Sequence, residues 1–309
     1  MPEVEDIAEF LIPGTDKSLN DEKNKIRENI IEHMMNLDDE YFMDEKYGQQ
    51  WKSIQEKFIE KMTMLCDQPF DKIKIEGKGG MKYNYDFILT FLGKINEEKN
   101  ETNEKKRPVI KEVKLEFKHN NSSVSDLVQF LELYDRDVKE KFELCGISYA
   151  EFYYDNYLKN YIALEENLIQ SIPEKQEYLK HVTDIKYKHP FFNELYLRKN
   201  NKVNEKREIA RKSIQEYLEI FSHTFNFEKI AKKIKESQQG KQFLLWDCNE
   251  FYVETVDASK ITISEIIEDS IHDLYFDVKV QNFEYNIRIR INWGNNAGLS
   301  NPRWKFTFI

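Results

Sequence analysis

Cysteine, glycine, proline and long apolar runs are all in short supply. The three cysteines, Cys66, Cys145 and Cys248, lie far apart, with neither a Cys-x-x-Cys pair nor metal-site spacing. That removes the case for a disulfide framework and suits buried thiols in a reducing compartment. No stretch approaches roughly 18 uninterrupted apolar residues, so no transmembrane helix is expected. No basic start leads into an apolar run near the first residue, so no signal peptide is expected. An intracellular protein, of cytoplasm or nucleus, follows as the expectation. Phosphate-loop, Gly-x-Ser-x-Gly and His-x-x-x-His patterns are missing and the six histidines are scattered. ATPase, serine-hydrolase and zinc-enzyme readings therefore have no support. No internal repeat is visible. The scarcity of Gly, Pro and Ala beside abundant Lys, Glu, Asn and Ile reflects an A+T-rich coding sequence.

What is present is a chain of 309 residues, rich in Phe and Tyr, long enough to bury a substantial core in one large domain or two. Its formal net charge of −10 argues against indiscriminate coating of nucleic acid. The sign is uneven. Acids cluster early, from Glu3 to Glu9 and from Asp38 to Glu45, whereas cations dominate from Arg198 to Lys241, with Lys206, Arg207, Arg211 and Lys212 together. A local basic groove can contact DNA on an acidic protein.

Helical spacing of Ile26, Ile30 and Ile31, then of Trp51, Ile54, Phe58 and Met62, predicts helices over 20–66. After Pro69, Ile73 and Ile75 alternate as in a short strand, and Gly77, Gly79 and Gly80 make a turn. Strands are expected over 83–91 and 109–118, joined by a hydrophilic loop at 93–108. Ser123 and Asp126 suggest a capping box that opens a helix through about Tyr134. Residues 150–238 read as helical, and 241–256 and 275–293 as hairpins. "RWKFTFI" closes the chain as a strand. The division expected is 1–150, a helical N-terminus with a core sheet, and 151–309, a helical and β-rich substrate-binding region.

Asp86 is the only charge in the apolar run "YNYDFILTF", and "KEVKLEFKHNN" sets Glu112, Lys114, Glu116 and Lys118 on one face. If the two strands form an antiparallel hairpin with Leu92 opposite Ile110, Asp86 falls opposite Glu116, with Lys118 two residues further on. Cross-strand neighbours lie about 5 Å apart and same-face neighbours roughly 7 Å. Two carboxylates that close repel unless a cation sits between them. Carboxylate oxygens suit Mg²⁺, and Mn²⁺ can substitute. The alternative pair, Glu112 and Lys114, falls about 13 Å from Asp86 in that register, so geometry prefers Glu116 and Lys118. His119 reads as a polar residue at a strand end.

This pattern resembles the PD-(D/E)XK, or restriction-endonuclease-like, nuclease superfamily over residues 40–135. The resemblance implies an α/β (α+β) fold with a core sheet flanked by helices. It also implies Asp86 and Glu116 as ligands of Mg²⁺, Lys118 as the catalytic lysine, and an acid from the preceding helix, for which Glu56 and Glu60 are candidates. Gln129 and Tyr134 are one residue too far apart for the Gln-x-x-x-Tyr of RecB-like members. The function implied is a Mg²⁺-dependent endonuclease of restriction or selfish-element type acting on double-stranded DNA. A homodimer is left open. The alternatives are a non-enzymatic nucleic-acid- or protein-binding module and an RNA-cleaving nuclease.

Near the C-terminus, Ile287, Ile289, Ile291 and Trp293 share one strand face while Arg288, Arg290 and Asn292 share the other. Two arginines in a row suit phosphate or guanine recognition, and "GNNAGLSNP" is a loop able to approach a ligand.

Overall fold

The computed structural model describes residues 1–13, 20–78, 83–94, 107–127, 129–165, 172–184, 186–267, 270–272, 274–293 and 298–309. It is a mixed α/β protein with two mostly antiparallel sheets and flanking helices, divided into two units. Among the described residues no helix is long and apolar enough to cross a membrane.

The first unit comprises Met1–Leu127 and Gln238–Asp257. Its helices are α1 (Ile7–Leu11), α2 (Asn20–His33), α3 (Asp39–Met43) and α4 (Gly48–Thr63). Its strands are β1 (Lys72–Gly77), β2 (Phe87–Leu92), β3 (Val109–His119), β5 (Lys241–Trp246) and β6 (Phe251–Glu254), in that spatial order. Every pairing is antiparallel except β3 with β5. Parallel neighbours need a long crossover, and 121 residues separate His119 from Lys241. Ile73, Ile75, Phe87, Leu89, Phe91, Leu115 and Phe117 are buried at alternate positions, as one packed sheet face requires. Trp51, Ile54, Phe58 and Met62 of α4, spaced one helical turn apart, join the same core.

Phe10 of α1 fastens the N-terminal segment to this sheet. Its ring is fully buried and stacks on Trp246 at 4.9 Å. Its carbonyl accepts from Trp246 Nε1 at 2.9 Å and lies 2.8 Å from His119 Nε2. Truncating such a ring to alanine costs about 3–5 kcal/mol.

The second unit comprises Val128–Ser237 and Ala258–Ile309. Its sheet, antiparallel throughout, runs β4 (Leu131–Tyr134), β10 (Pro302–Phe308), β9 (Ile287–Trp293), β8 (Tyr275–Gln281) and β7 (Thr262–Ile266). Its helices are α5 (Asp135–Glu140), α6 (Tyr149–Asn156), α7 (Leu158–Ala163), α8 (Lys175–Thr183), α9 (Pro190–Leu197), α10 (Val203–Phe221) and α11 (Phe227–Gln238). Asp135, fully buried, ties its parts together by accepting from Trp304 Nε1 at 2.8 Å and from the Tyr149 and Ala150 amides.

Two expectations change. A helix over 123–134 does not form: a short 3-10 turn at Val124–Asp126 leads to β4, which pairs with Arg303–Phe306. Short apolar runs fit helix and strand alike, and pairing with a distant strand decides this one. The division near residue 150 is replaced by two crossings of the chain, because β5 and β6 return to β3 while β4 leaves for the second sheet. Strand β7 went unread. The Gly79–Gly80 part of the turn, most of the 93–108 loop and residues 294–297 of the late loop lie outside the described residues.

Candidate active site

Asp86 sits immediately before β2. Its amide donates to the carbonyl of Leu115, the residue paired with Phe87, at 2.8 Å. Pairing within the β2–β3 ladder sets Phe87 opposite Leu115, Leu89 opposite Val113 and Thr90 opposite Glu112. The paired register ends at Phe87, and Asp86 reaches β3 through its own amide and carboxylate. One oxygen of Asp86 also accepts from the Phe117 amide at 2.8 Å, which fixes the carboxylate against β3.

Glu116 is buried, with 9% of its surface exposed. Two lysines hold it. Lys118 Nζ lies 2.7 Å from Oε1, and Lys241 Nζ, on the parallel strand β5, pairs with Oε2. Lys241 also reaches the Asn84 carbonyl at 3.3 Å and is 3% exposed. The Lys118 side chain keeps 30% of its surface in solvent. One lysine is thus locked into the sheet, while the other holds Glu116 from a side chain that is partly exposed.

A third acid acts on the pair. Glu32 of α2 accepts from the Gly77 amide at 2.9 Å, and Gly77 faces Phe87, the residue after Asp86. Glu28, one helical turn before Glu32, therefore stands on the stripe of α2 directed at this end of the hairpin. Burial raises the Glu28 carboxyl above its ordinary value, and the charge of Asp86 raises it further. Asp86 is also raised, chiefly by burial, against the lowering influence of Lys118 and the Phe117 amide. Burial would lift Glu116 too, but Lys118 and Lys241 together hold it below the usual range. Burial pulls Lys118 down, and Glu116 and Asp86 more than offset it, so its net shift is upward. Lys241 is lowered, because burial outweighs Glu116.

Glu56 and Glu60 are exposed on α4, which packs against β6 and α3. The structure does not bring them to Asp86 and Glu116. Glu28, which feels the charge of Asp86, and Lys241, which holds Glu116, are the two residues that sequence reasoning missed. Glu28 carried a readable signal, since it shares a helical stripe with Glu32. Lys241 carried none, because it reaches the site only through the pairing of β5 with β3.

Among the described residues no group of three or more His, Cys, Asp and Glu side chains is placed to hold a metal ion. The donor chemistry nonetheless fits a hard cation. Asp86 and Glu116 offer only oxygens, as Mg²⁺ prefers, and the ionised form of Asp86 is disfavoured as it stands. Asp86 and Glu116 are the residues that would hold such a cation, and Lys118, the partly exposed partner of Glu116, would be the ammonium to give way.

The cations assigned to nucleic acid fall into two groups. Lys206 is buried against Glu165, with the Arg198 carbonyl at 2.9 Å, and is not presented to a ligand. Its position on the inner stripe of α10 explains this, since Ala210 and Ser213 on that stripe are buried as well. Arg207, Arg211 and Lys212 are exposed on α10, with Lys212 3.5 Å from Glu208. Arg288 holds Asp277 through two hydrogen bonds of 2.8 and 2.9 Å, and Arg290 is exposed beside it.

Comparison of the chain with protein-family models, with curated proteins and with solved structures found no match.

Proposed function

We propose that the first unit is a divalent-cation-dependent phosphodiester hydrolase of PD-(D/E)XK type, a DNA endonuclease of the restriction or selfish-element kind. One observation carries the reading: the Asp86 carboxylate is fixed on the Phe117 amide, next in the chain to Glu116, and the Lys118 ammonium that holds Glu116 also acts on Asp86. The element order supports it. Helices α2 to α4 precede the antiparallel strands β1, β2 and β3, and β5 returns parallel to β3, an order compatible with that superfamily's core.

Asp86 and Glu116 would hold Mg²⁺. When bound, Mg²⁺ supplies Lewis acidity that polarises water and the attacked phosphate at neutral pH. Asp86 is oriented for its part by the Phe117 amide. Lys241 keeps one Glu116 oxygen fixed and leaves the other to turn outward. Lys118, once released from Glu116, brings a positive charge and a proton donor to the phosphate or the attacking water. Glu28 favours this exchange, since its charge adds to the demand for a cation beside Asp86.

A second reading has its own support. Lysines on both Glu116 oxygens neutralise it without a metal, as in a non-catalytic module held together by buried ion pairs. Incubating the protein with plasmid DNA, with and without Mg²⁺, separates the two. Cleavage that needs Mg²⁺ and is lost in Glu116→Gln supports the hydrolase, and an intact plasmid under both conditions supports the module.

A further inference from the structure

The outer face of the second unit's sheet is polar and ordered into rows. Across the strands, register aligns Glu132 of β4, Lys305 of β10, Arg290 of β9 and Tyr275 of β8 in one row. Arg288 and Arg303 flank that row on the same face, and Arg288 lies over the Tyr275 ring at 3.9 Å. Asp277 neutralises Arg288, and Glu132 alone serves both Arg303 and Lys305. Arg290 has no ion pair among the described residues. The face is therefore net positive in a chain whose overall charge is −10, and its unbalanced cations stand at the middle of the sheet.

That position decides which polyanion fits. Arg290 is on β9, the central strand of five. Five strands at about 4.8 Å spacing span roughly 19 Å, whereas the major groove of a DNA duplex is about 12 Å wide and 8.5 Å deep. A central strand with two neighbours on each side cannot bring its side chains to the groove floor. A single strand has no such limit, because it can lie flat across the sheet with phosphates and bases alternately in reach.

We propose that this face binds a single-stranded polynucleotide laid across the strands, with Arg290 and Lys305 on phosphates and a base stacked on the Tyr275–Arg288 pair. Planar guanidinium resting on a phenol ring is a pre-organised surface for a nucleobase. This inference stands on the second unit alone and does not require the first to cleave anything.

The test is fluorescence anisotropy of labelled single-stranded DNA, single-stranded RNA and duplex DNA with the whole protein, in EDTA so that cleavage cannot intervene. Wild type is compared with Arg290→Gln/Lys305→Gln and with Tyr275→Leu, thermal melting confirming that each is folded. The expected result is tighter binding of at least one single strand than of duplex. The double variant should flatten the slope of log affinity against log salt by about 1.4, at roughly 0.7 per phosphate contact. Tyr275→Leu should weaken single-strand binding at least about fivefold with little change in slope. The DNA and RNA arms tell the two sources apart. Duplex binding as tight as single-strand binding, unchanged affinity and slope in the double variant, or no binding by wild type would each overturn the proposal.

Discussion

Glu116 of β3 and Lys241 of β5 form an ion pair across the one parallel ladder of the first sheet. Lys241 is almost wholly buried, so its removal leaves one oxygen of the buried Glu116 without its cation and Lys118 as the remaining partner. Breaking a buried pair from one side typically costs about 3–5 kcal/mol. Lys241→Met should lose stability on that scale in urea denaturation, and Lys241→Met/Glu116→Gln should recover part of it. A double variant no more stable than the single one would show that the pair is not coupled as described.

Asp86 gives the opposite result. Its carboxyl is raised by burial, so the stability carried by its protonated form is full below the ordinary carboxyl range and is lost as pH rises through the raised value. Asp86→Asn keeps an oxygen for the Phe117 amide and removes the charge. Thermal melting should therefore find this variant more stable than wild type near pH 7, with the difference closing in acid, while cleavage is abolished. Glu28→Gln should show the same sign. Glu116, held low by its two lysines, works against them in acid, since its contribution is lost as pH falls through the depressed value. A less stable Asp86→Asn at pH 7 would contradict the account.

His119 provides a pH test away from the carboxylates. Burial lowers it from 6.5 to about 4, although the Phe10 carbonyl pulls the other way. The folded state thus binds fewer protons than the unfolded one between about pH 6.5 and pH 4. Stability should fall across that window as pH drops, and His119→Gln should make the decline shallower. Equal slopes in melting curves of the two proteins would remove His119 from the explanation.

Lys206 should behave as a structural residue. Lys206→Met, which orphans the buried Glu165 carboxylate, should lower stability by about 3–5 kcal/mol. It should leave the salt dependence of nucleic-acid binding unchanged in the folded protein. A shallower salt slope would return Lys206 to the binding surface.

How much of this was readable in the sequence depends on how far apart the interacting residues lie. Alternation in "FILTF" and "VKLEF" gave the buried faces, and the hydrophilic loop between them gave an antiparallel hairpin whose register the β2–β3 pairing reproduces from Phe87 to Phe91. Glu28 of α2 was not singled out and Glu56 and Glu60 of α4 were, because the amphipathic pattern of a helix says which residues are exposed and not which sheet edge they face. Lys241 and the β4–β10 pairing depend on contacts across more than a hundred residues, and local periodicity carries no information on such partners.

The proposed activity is the cleavage of phosphodiester bonds by Asp86, Glu116 and Lys118 with the help of a divalent cation. Its most direct test incubates supercoiled plasmid with wild type, Asp86→Asn, Glu116→Gln, Lys118→Met and Glu112→Ala, each in Mg²⁺ and in EDTA, and follows nicked and linear products on a gel. The account predicts cleavage by wild type and Glu112→Ala in Mg²⁺ alone, and none by the other three although they remain folded. Intact plasmid with wild type in both Mg²⁺ and Mn²⁺, or cleavage by Glu116→Gln at the wild-type rate, would contradict it.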